Sequence, residues 1–169
     1  MWKIGLLSDT HGHTDPKIFE VFKDVDEIWH AGDIGDYQVC RQLATLKKPI
    51  VAVHGNIDDP NIRALYPEAI LHEREGVKIL MIHIGGYPGR YAAKARKLIE
   101  LHRPQLFICG HSHILKVMRD DRYGLLSVNP GAAGIQGMHT VKTVLRLQLQ
   151  GGKVVGLEAV ELGKRGAIV

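Results

Sequence analysis

Side chains that bind metal ions recur directly after apolar stretches of this 169-residue chain. Each apolar stretch is typical of a buried β-strand, and the polar residue stands at or just beyond its end. The set comprises Asp9, His11, Asp33, Asn56, His83, His111 and His113. Because the carboxyl ends of strands form one edge of an open α/β sheet, where ligands bind, we expect these side chains to converge there.

Two of these segments place metal-binding residues two positions apart. Side chains at i and i+2 of an extended segment point to the same side, so Asp9 with His11, and His111 with His113, are predicted to face one point. A glycine directly precedes three of the metal-binding residues, Asp33, Asn56 and His111, and glycine permits the tight turns that a crowded region needs. These glycines are Gly32, Gly55 and Gly110.

Carboxylate, amide and imidazole groups form a mixed oxygen and nitrogen ligand set, and the chain has ten histidines to supply it. Such a set suits Mn, Fe or Zn better than Mg or Ca, which prefer oxygen ligands alone. Seven ligands exceed one tetrahedral site but suit two ions that share a carboxylate. Two ions roughly 3.5–4 Å apart can stabilise the attacking and leaving oxygens of a displacement at phosphorus.

The elements that must position these residues alternate between strands and helices over the first two-thirds of the chain. Strands are predicted at 3–9, 27–33, 49–56, 78–83, 105–113 and 124–131, mostly as near-continuous apolar runs. Helices are predicted within 16–25, 36–46, 59–66 and 91–102, and hairpins within 69–83, 114–128 and 140–162. The predicted fold is α/β: two β-sheets face to face, flanked by helices, in a single domain over residues 1–169.

Composition narrows the class of protein. The chain is 45% hydrophobic and 24% charged, as in ordinary globular proteins. No apolar run approaches the roughly 20 residues of a membrane span, and Asp9 interrupts the first apolar segment too soon for a secretory signal. Cys40 and Cys109 fit buried thiols in a reducing compartment, so we expect a cytoplasmic protein. The net charge of +4 is dispersed along the chain, so nucleic acid is not an expected partner.

Five short blocks carry a family resemblance. They read SDTHGH (8–13), HAGDI (30–34), HGNID (54–58), MIHIGG (81–86) and CGHSH (109–113). In this order they resemble the blocks of the calcineurin-like metallophosphoesterase superfamily, and most nearly those of its small YfcE-type phosphodiesterases. The resemblance extends over nearly the whole chain and implies a two-sheet βαβ sandwich.

The resemblance also implies a role for each ligand. By position, one ion would be bound by Asp9, His11 and His113, the other by Asn56, His83 and His111, and Asp33 would bridge the two. The implied reaction is in-line attack of a metal-bound hydroxide on a small phosphodiester, in preference to a monoester. Manganese is the first expected cofactor, with iron, zinc or nickel as alternatives.

The chain departs from the superfamily pattern at three places. Ile57 stands where many superfamily phosphatases carry a histidine able to protonate the leaving group, which favours substrates with good leaving groups. Residues 83–85 read His-Ile-Gly where many relatives have His-Gly-His, so one histidine near the second ion is missing. Residues 129–132 end in alanine where the family usually has serine.

Four further residues are candidates for the site. His13 is predicted to be catalytic, as a proton shuttle, or else a solvated turn residue; Asp58 is predicted to orient a ligand or the attacking water, or else to form a turn. Arg90, in a glycine-bounded loop, is a candidate phosphate ligand or a surface residue. Asn129 is a candidate substrate contact or a structural residue.

Two other functions fit the resemblance. A non-catalytic scaffold like the retromer subunit Vps29 would use its surface to bind protein partners, but there the ligands are altered, whereas all seven positions here hold metal-binding residues. A nuclease would need a basic groove that the sequence does not indicate. A homo-oligomer is compatible with the sequence.

Overall fold

The computed structural model describes residues 1–166 as two five-stranded sheets with four helices. The strands are β1 (Trp2–Leu7), β2 (Glu27–His30), β3 (Ile50–Ala52), β4 (Ala69–Arg74), β5 (Val77–Ile82), β6 (Gly86–Tyr87), β7 (Arg90–Tyr91), β8 (Leu106–Ile108), β9 (Leu115–Asp120), β10 (Leu125–Pro130), β11 (Val141–Gln150) and β12 (Lys153–Lys164). The helices are α1 (Lys17–Val21), α2 (Tyr37–Ala44), α3 (Pro60–Leu65) and α4 (Ala93–His102). Strands β6 and β7 form a separate hairpin.

Each sheet contains three neighbouring parallel strands. The first sheet has the order β12-β11-β1-β2-β3, in which β1, β2 and β3 are parallel. The second has the order β4-β5-β8-β10-β9, in which β5, β8 and β10 are parallel. The remaining strands pair antiparallel as the three predicted hairpins. The predicted α/β architecture is therefore confirmed.

The main apolar core lies between the two sheets. It joins Ile4 and Trp29 of the first sheet to Met81, Ile108 and Val128 of the second, all essentially without solvent exposure. Near-continuous burial explains why these strands read as apolar runs rather than as alternating ones.

The helices cover the outer faces of the sheets, as predicted. Residues of α1, α2 and α3 pack with the first sheet through buried side chains such as Ile18, Leu43 and Ile62. Helix α4 packs through Ala95 and Ile99 against the second sheet. Within residues 1–166 no helix is long and apolar enough to cross a membrane. Both cysteines are buried free thiols, as predicted.

Most predicted strands extend too far at the carboxyl end. Strand β2 stops at His30, β3 at Ala52 and β8 at Ile108. The polar residues that follow lie in loops because they leave the hydrogen-bonded ladder to turn toward the site.

Asp36 and Asp59 cap α2 and α3, because their side chains accept hydrogen bonds from the backbone amides of Gln38 and Ile62. Pro16 occupies the cap of α1, where no side chain makes a capping hydrogen bond.

Candidate metal centre

The loops that follow β1, β2, β3, β5 and β8 bring the predicted ligands together. Two groups form, and the ligand atoms within each group all lie within 4.8 Å of one another. The groups are Asp9, His11 and His113, and Asp33, His83 and His111. The amide oxygen of Asn56 lies 3.0 Å from Nδ1 of His111, which places Asn56 beside the second group.

The backbone is left-handed at five of the seven ligands. The prediction of extended segments at residues 9–11 and 111–113 is therefore wrong. The φ angles are 54° at Asp9, 46° at His11, 52° at Asp33, 70° at His111 and 60° at His113. Such angles are uncommon for residues other than glycine, and they persist only where surrounding contacts enforce them. The side chains still converge, but through left-handed turns in three loops rather than through strand alternation.

Hydrogen bonds between loops enforce two of these turns. The amide of Asp9 donates to the carbonyl of Gly32 at 3.0 Å, and the amide of His11 donates to the carbonyl of Asp33 at 3.0 Å. The loop after β1 is therefore bonded, residue by residue, to the loop after β2. This arrangement aligns the first ligand group with the second.

The three predicted glycines are needed for two different reasons. Gly32 has a φ of 98°, in the region that favours glycine. Gly55 and Gly110 lie outside that region, but a Cβ atom at Gly55 would overlap the Asp33 side chain and one at Gly110 would overlap Ser8. Close approach of the backbone to the site, rather than turn geometry, requires glycine at these two positions.

Asp9 divides its two carboxylate oxygens between the protein and the site. Oδ2 accepts hydrogen bonds from the Ser8 hydroxyl at 2.7 Å and the His111 amide at 3.1 Å. Oδ1 is buried without a hydrogen-bond partner, 3.2 Å from Nε2 of His113 and 3.8 Å from Nε2 of His11. Burial alone would raise the pKa of Asp9, but the neighbouring His11 and His113 outweigh it and hold the pKa well below its usual range.

Asp33 faces both groups. Its Oδ1 accepts a hydrogen bond from the Ile57 amide at 3.1 Å. Its Oδ2 lies 3.2 Å from Nε2 of His83 in the second group and 3.5 Å from Nε2 of His11 in the first. Burial opposes ionisation of Asp33, yet His83 beside it lowers the pKa. An ionised oxygen between a histidine of each group has the position required of a bridging ligand.

His83 is oriented by a contact behind it. Its Nδ1 lies 2.8 Å from the carbonyl of Ala31, and since a carbonyl only accepts, Nδ1 carries the hydrogen. Nε2 is then the atom directed at Asp33. Burial lowers the pKa of His83, but Asp33 and Asp9 outweigh it and raise the pKa above its usual value. A cation binds Nε2 only in its deprotonated form, so metal affinity is expected to fall as the pH falls.

Three buried polar atoms at this centre have no hydrogen-bond partner among the described residues: Asp9 Oδ1, His11 Nε2 and His83 Nε2. Leaving a buried polar atom unpaired costs about 1–3 kcal/mol, and native proteins rarely do so without a functional reason. His11 Nε2 and His83 Nε2 each lie 3.8 Å from Asp9 Oδ1, and all three atoms have the chemistry of transition-metal ligands. Divalent cations therefore fit the site.

Asp58 lies behind the ligands. The residue is 4% exposed. Its carboxylate accepts backbone hydrogen bonds from Gly35 at 2.7 Å, Gly55 at 2.7 Å and Ile34 at 3.2 Å. These contacts tie together the loop that carries Asp33 and the loop that carries Asn56. The structure thus gives Asp58 a positioning role, and its predicted action on the attacking water stays a prediction.

Asn129 holds the loop that carries His111 and His113. Its amide nitrogen donates to the Gly110 carbonyl at 2.9 Å and to the Ser112 hydroxyl at 3.1 Å, while its oxygen accepts from the Gly131 amide at 3.0 Å. The side chain is almost fully buried but lines a cavity beside His111. Its contact with substrate stays a prediction.

The remaining two candidates lie farther from the ligand atoms. Arg90 is exposed at the start of β7 and lines the same cavity as Asn129. His13 is half-buried, its amide donates to the Thr10 carbonyl at 2.9 Å, and it belongs to neither group of ligand atoms in the described part of the chain. The catalytic role predicted for His13 stays a prediction.

Sequence reasoning missed His30. This fully buried histidine accepts a hydrogen bond from the Gly32 amide at Nδ1, 3.1 Å away, and its Nε2 lies 2.9 Å from the Thr10 hydroxyl, which donates to the Ile34 carbonyl. Burial lowers the pKa of His30 to about 4, so the ring is neutral at pH 7. The network fixes the turn on either side of Asp33. A histidine inside an otherwise apolar strand was the available signal.

Two cavities beside the second ligand group share Ile84 and Ala92 as a dividing wall, and a third, whose lining includes His111 and His113, adjoins both groups. The first, of about 390 Å³, includes His83, Asn56, Arg63, Glu68 and Lys94 in its lining. The second, of about 280 Å³, includes His111, Tyr87, Arg90, Lys116 and Asn129.

A Cβ at Gly85 would approach the Cys109 Cβ to 2.5 Å and the Phe107 ring to 2.6 Å, so a histidine would not fit there.

Known proteins resemble the chain in sequence. The model of the calcineurin-like phosphoesterase superfamily domain matches residues 2–152. A probable metallophosphoesterase of Methanocaldococcus jannaschii is 33% identical over 153 residues, covering 87% of this chain and 76% of the relative. A phosphodiesterase of the same organism is 27% identical over 144 residues, covering 76% of this chain and 82% of the relative.

Solved structures share the fold. An archaeal phosphodiesterase, 23% identical, superimposes with a TM-score of 0.76 over 94% of this chain and 99% of its own. A zinc complex of Vps29 from Entamoeba histolytica, 18% identical, superimposes with a TM-score of 0.71 over 95% of this chain and 99% of its own. The fold thus occurs both in a phosphodiesterase and in Vps29, and the residues of the site must discriminate between functions.

Proposed function

The chain belongs to the calcineurin-like phosphoesterase superfamily, and we propose that it is a dinuclear metal-dependent phosphodiesterase. The observation that carries the proposal is the position of Asp33. One of its oxygens lies within 3.5 Å of a histidine nitrogen from each ligand group, among buried atoms that lack partners. Two cations held by such an arrangement share one carboxylate.

The ligand residues divide the work at the site. Asp9, His11 and His113 would hold one ion, and His83, His111 and Asn56 the other, with Asp33 on both. When bound, the ions would activate water and neutralise charge on the phosphoryl group. The protein's own part is to fix the ligands: the Ala31 carbonyl orients His83, and Asp58 holds the loop of Asp33. Manganese is the first candidate, with iron, zinc or nickel as alternatives.

The two cavities support a diester substrate. A phosphodiester has an ester arm on each side of the phosphorus, and a cavity lies on each side of the Ile84–Ala92 wall next to the second ligand group. A monoester would leave one of the cavities without a substrate group. The 27% identical phosphodiesterase is consistent with this preference. The proposed substrate is therefore a small phosphodiester, cleaved in the reducing compartment that two free thiols suit.

A Vps29-like scaffold is the alternative function. It needs no complete ligand set, whereas here all seven positions hold metal-binding side chains and six of them form two compact groups. We therefore favour the enzyme.

Hydrolysis of bis(para-nitrophenyl) phosphate in the presence of Mn²⁺ tests the proposal. The wild-type protein is expected to release para-nitrophenolate, and to prefer this diester to para-nitrophenyl phosphate. Asp33→Ala and His111→Ala should each remove most of the rate. His102→Ala, at the far end of α4, is the matched control and should keep it.

A protein that binds the metal stoichiometrically without turning over either ester would favour the scaffold. Preference for the monoester would overturn the proposed substrate class and leave the metal centre standing. Full activity in Asp33→Ala would reject the shared carboxylate.

A further inference from the structure

The two cavities beside the second ligand group differ in whether their Lys and Arg side chains are already bonded to other groups of the protein. In the first cavity, Lys94 is paired with Glu68. Arg63 in the same cavity donates to the carbonyls of Asp58 at 2.7 Å and Asn56 at 3.1 Å. Both positive side chains of the first cavity are therefore already engaged by the protein.

The second cavity has two cations and no acidic residue in its lining. Beyond the backbone pairing of their strands, Arg90 and Lys116 make no hydrogen bond or ion pair to any residue within 1–166. The ammonium of Lys116 lies 3.9 Å from the centre of the Tyr87 ring, a cation–π contact that holds the charge in place without neutralising it. The carboxylate of Asp120 accepts a hydrogen bond at 2.7 Å from the hydroxyl of Tyr91, a residue of the lining.

These cations come from two different elements that line the same cavity. Arg90 belongs to the β6–β7 hairpin, whose tip is Pro88–Gly89, and Lys116 lies on β9, hydrogen-bonded in register to Asn129 of β10. His111 and Asn129 line the same cavity, so it adjoins the second ligand group. A group bound between Arg90 and Lys116 could thus be part of a substrate whose phosphodiester lies at the metal centre.

We propose that the second cavity binds a phosphate monoester group carried on one arm of the phosphodiester substrate. A phosphate monoester carries about −1.5 to −2 charges at pH 7, which two unpaired cations match, and the planar guanidinium of Arg can donate two parallel hydrogen bonds to a pair of phosphate oxygens. The substrate class is therefore a phosphodiester that carries a terminal phosphate monoester, such as a 5′-phosphodiester of a nucleoside whose 3′-hydroxyl is phosphorylated. This inference rests on the proposed phosphodiesterase function and adds to it the class of substrate.

The test compares two chromogenic diesters that differ by one phosphate. They are thymidine 5′-(para-nitrophenyl phosphate) and the same compound with a 3′-phosphate, both assayed with Mn²⁺ in excess. The wild-type protein is expected to favour the phosphorylated diester in kcat/KM by about tenfold or more. Lys116→Gln and Arg90→Gln should each reduce that ratio by about tenfold, because each removes a charged partner of the phosphate.

Lys153→Gln is the matched control, since Lys153 is exposed at the start of β12 and lies outside both cavities. It should keep the wild-type ratio. Calorimetry gives a readout independent of turnover: thymidine 3′,5′-bisphosphate should bind the wild-type protein about tenfold more tightly than Lys116→Gln, and thymidine 5′-phosphate should not discriminate between them.

The outcomes separate the two proposals. Equal kcat/KM for both diesters, or a ratio that the Lys116 and Arg90 variants do not change, overturns the phosphate cavity while the phosphodiesterase stands. Absence of hydrolysis of both diesters by the wild-type protein rejects the phosphodiesterase, and the substrate class with it.

Discussion

Two buried polar clusters, one beside β11 and one where loops of both sheets meet, differ in whether the protein completes them. Lys142 of β11 and Asp15 form a buried ion pair with 2.6 Å between Nζ and Oδ2, and the other Asp15 oxygen accepts the Lys17 amide at 2.9 Å. At the metal centre, Asp9 Oδ1, His11 Nε2 and His83 Nε2 are also buried and have no hydrogen-bond partner among residues 1–166. The first cluster stabilises the fold, and the second is built for partners from outside the chain.

The largest expected effect separates the clusters through activity. His83→Ala removes a ligand and its oriented Nε2, so kcat/KM for bis(para-nitrophenyl) phosphate should fall by about 1,000-fold, as when a main electrostatic contact to a transition state is lost. Steady-state kinetics with Mn²⁺ measures it. Lys142→Met should keep kcat/KM within about twofold, because the pair stabilises structure away from the ligands.

A comparable loss of activity in both variants would mean that the clusters are not functionally distinct. An active His83→Ala would place the chemistry elsewhere.

Lys142→Met should in turn lower stability. It leaves the buried Asp15 carboxylate without its cation, which costs about 3 kcal/mol of unfolding free energy at pH 7. Lys142 lowers the pKa of Asp15 against the opposing effect of burial. The pair's contribution to the free energy of unfolding is therefore complete above the ordinary carboxyl pKa of about 3.9. It is lost as the pH falls through the lower pKa that Asp15 has in the folded protein. Urea unfolding at pH 7 and at pH 3 measures the difference, which should shrink at pH 3.

A difference between variant and wild type that grows toward pH 3 would contradict the assigned pairing.

A smaller effect is expected at Asp58, which supports the metal centre from behind. In the wild-type protein, backbone N–H groups donate to both carboxylate oxygens of Asp58. Asp58→Asn replaces one of these oxygens by an NH₂ group, which cannot accept those hydrogen bonds. Metal affinity should fall by about tenfold, the usual cost of altering a group that orients ligands. Titration of activity with Mn²⁺ should show recovery of kcat at saturating metal. If kcat stays low at saturation while affinity is normal, Asp58 acts on the reaction itself.

The smallest effect is expected at His13, which lies in the same loop as His11 but outside the ligand groups. His13→Gln should change kcat for an aryl diester by no more than about twofold, because para-nitrophenolate leaves without protonation. The same variant assayed on a phosphodiester with a methoxide leaving group tests the proton shuttle, since a departing alkoxide needs a proton. A large loss with the aryl diester would place His13 among the groups that touch the substrate.

The ligands could be predicted from sequence because each follows an apolar strand, and a sheet collects strand ends at one edge. The backbone conformation at the ligands could not be predicted from sequence. The left-handed turns at Asp9 and His111 depend on contacts with loops far along the chain, such as Gly32 with Asp9. Propensity alone disfavours such angles for Asp and His, so only tertiary contacts explain them.

The supporting residues were harder to predict for the same reason. Asp58 reaches the Ile34 amide, 24 positions earlier, and Asn129 reaches Gly110, 19 positions earlier. Each sequence pattern also fits a simple turn. The cavities were beyond prediction, because Arg90 and Lys116 lie on exposed segments whose mutual position depends on how the β6–β7 hairpin packs beside β9.

The most direct measurement is anomalous diffraction from crystals of the protein loaded with Mn²⁺. The account predicts two peaks roughly 3.5–4 Å apart, with Asp33 in contact with both and Asp9 and His83 on different ions. A single peak, peaks remote from Asp33, or no peak at saturating Mn²⁺ would contradict it.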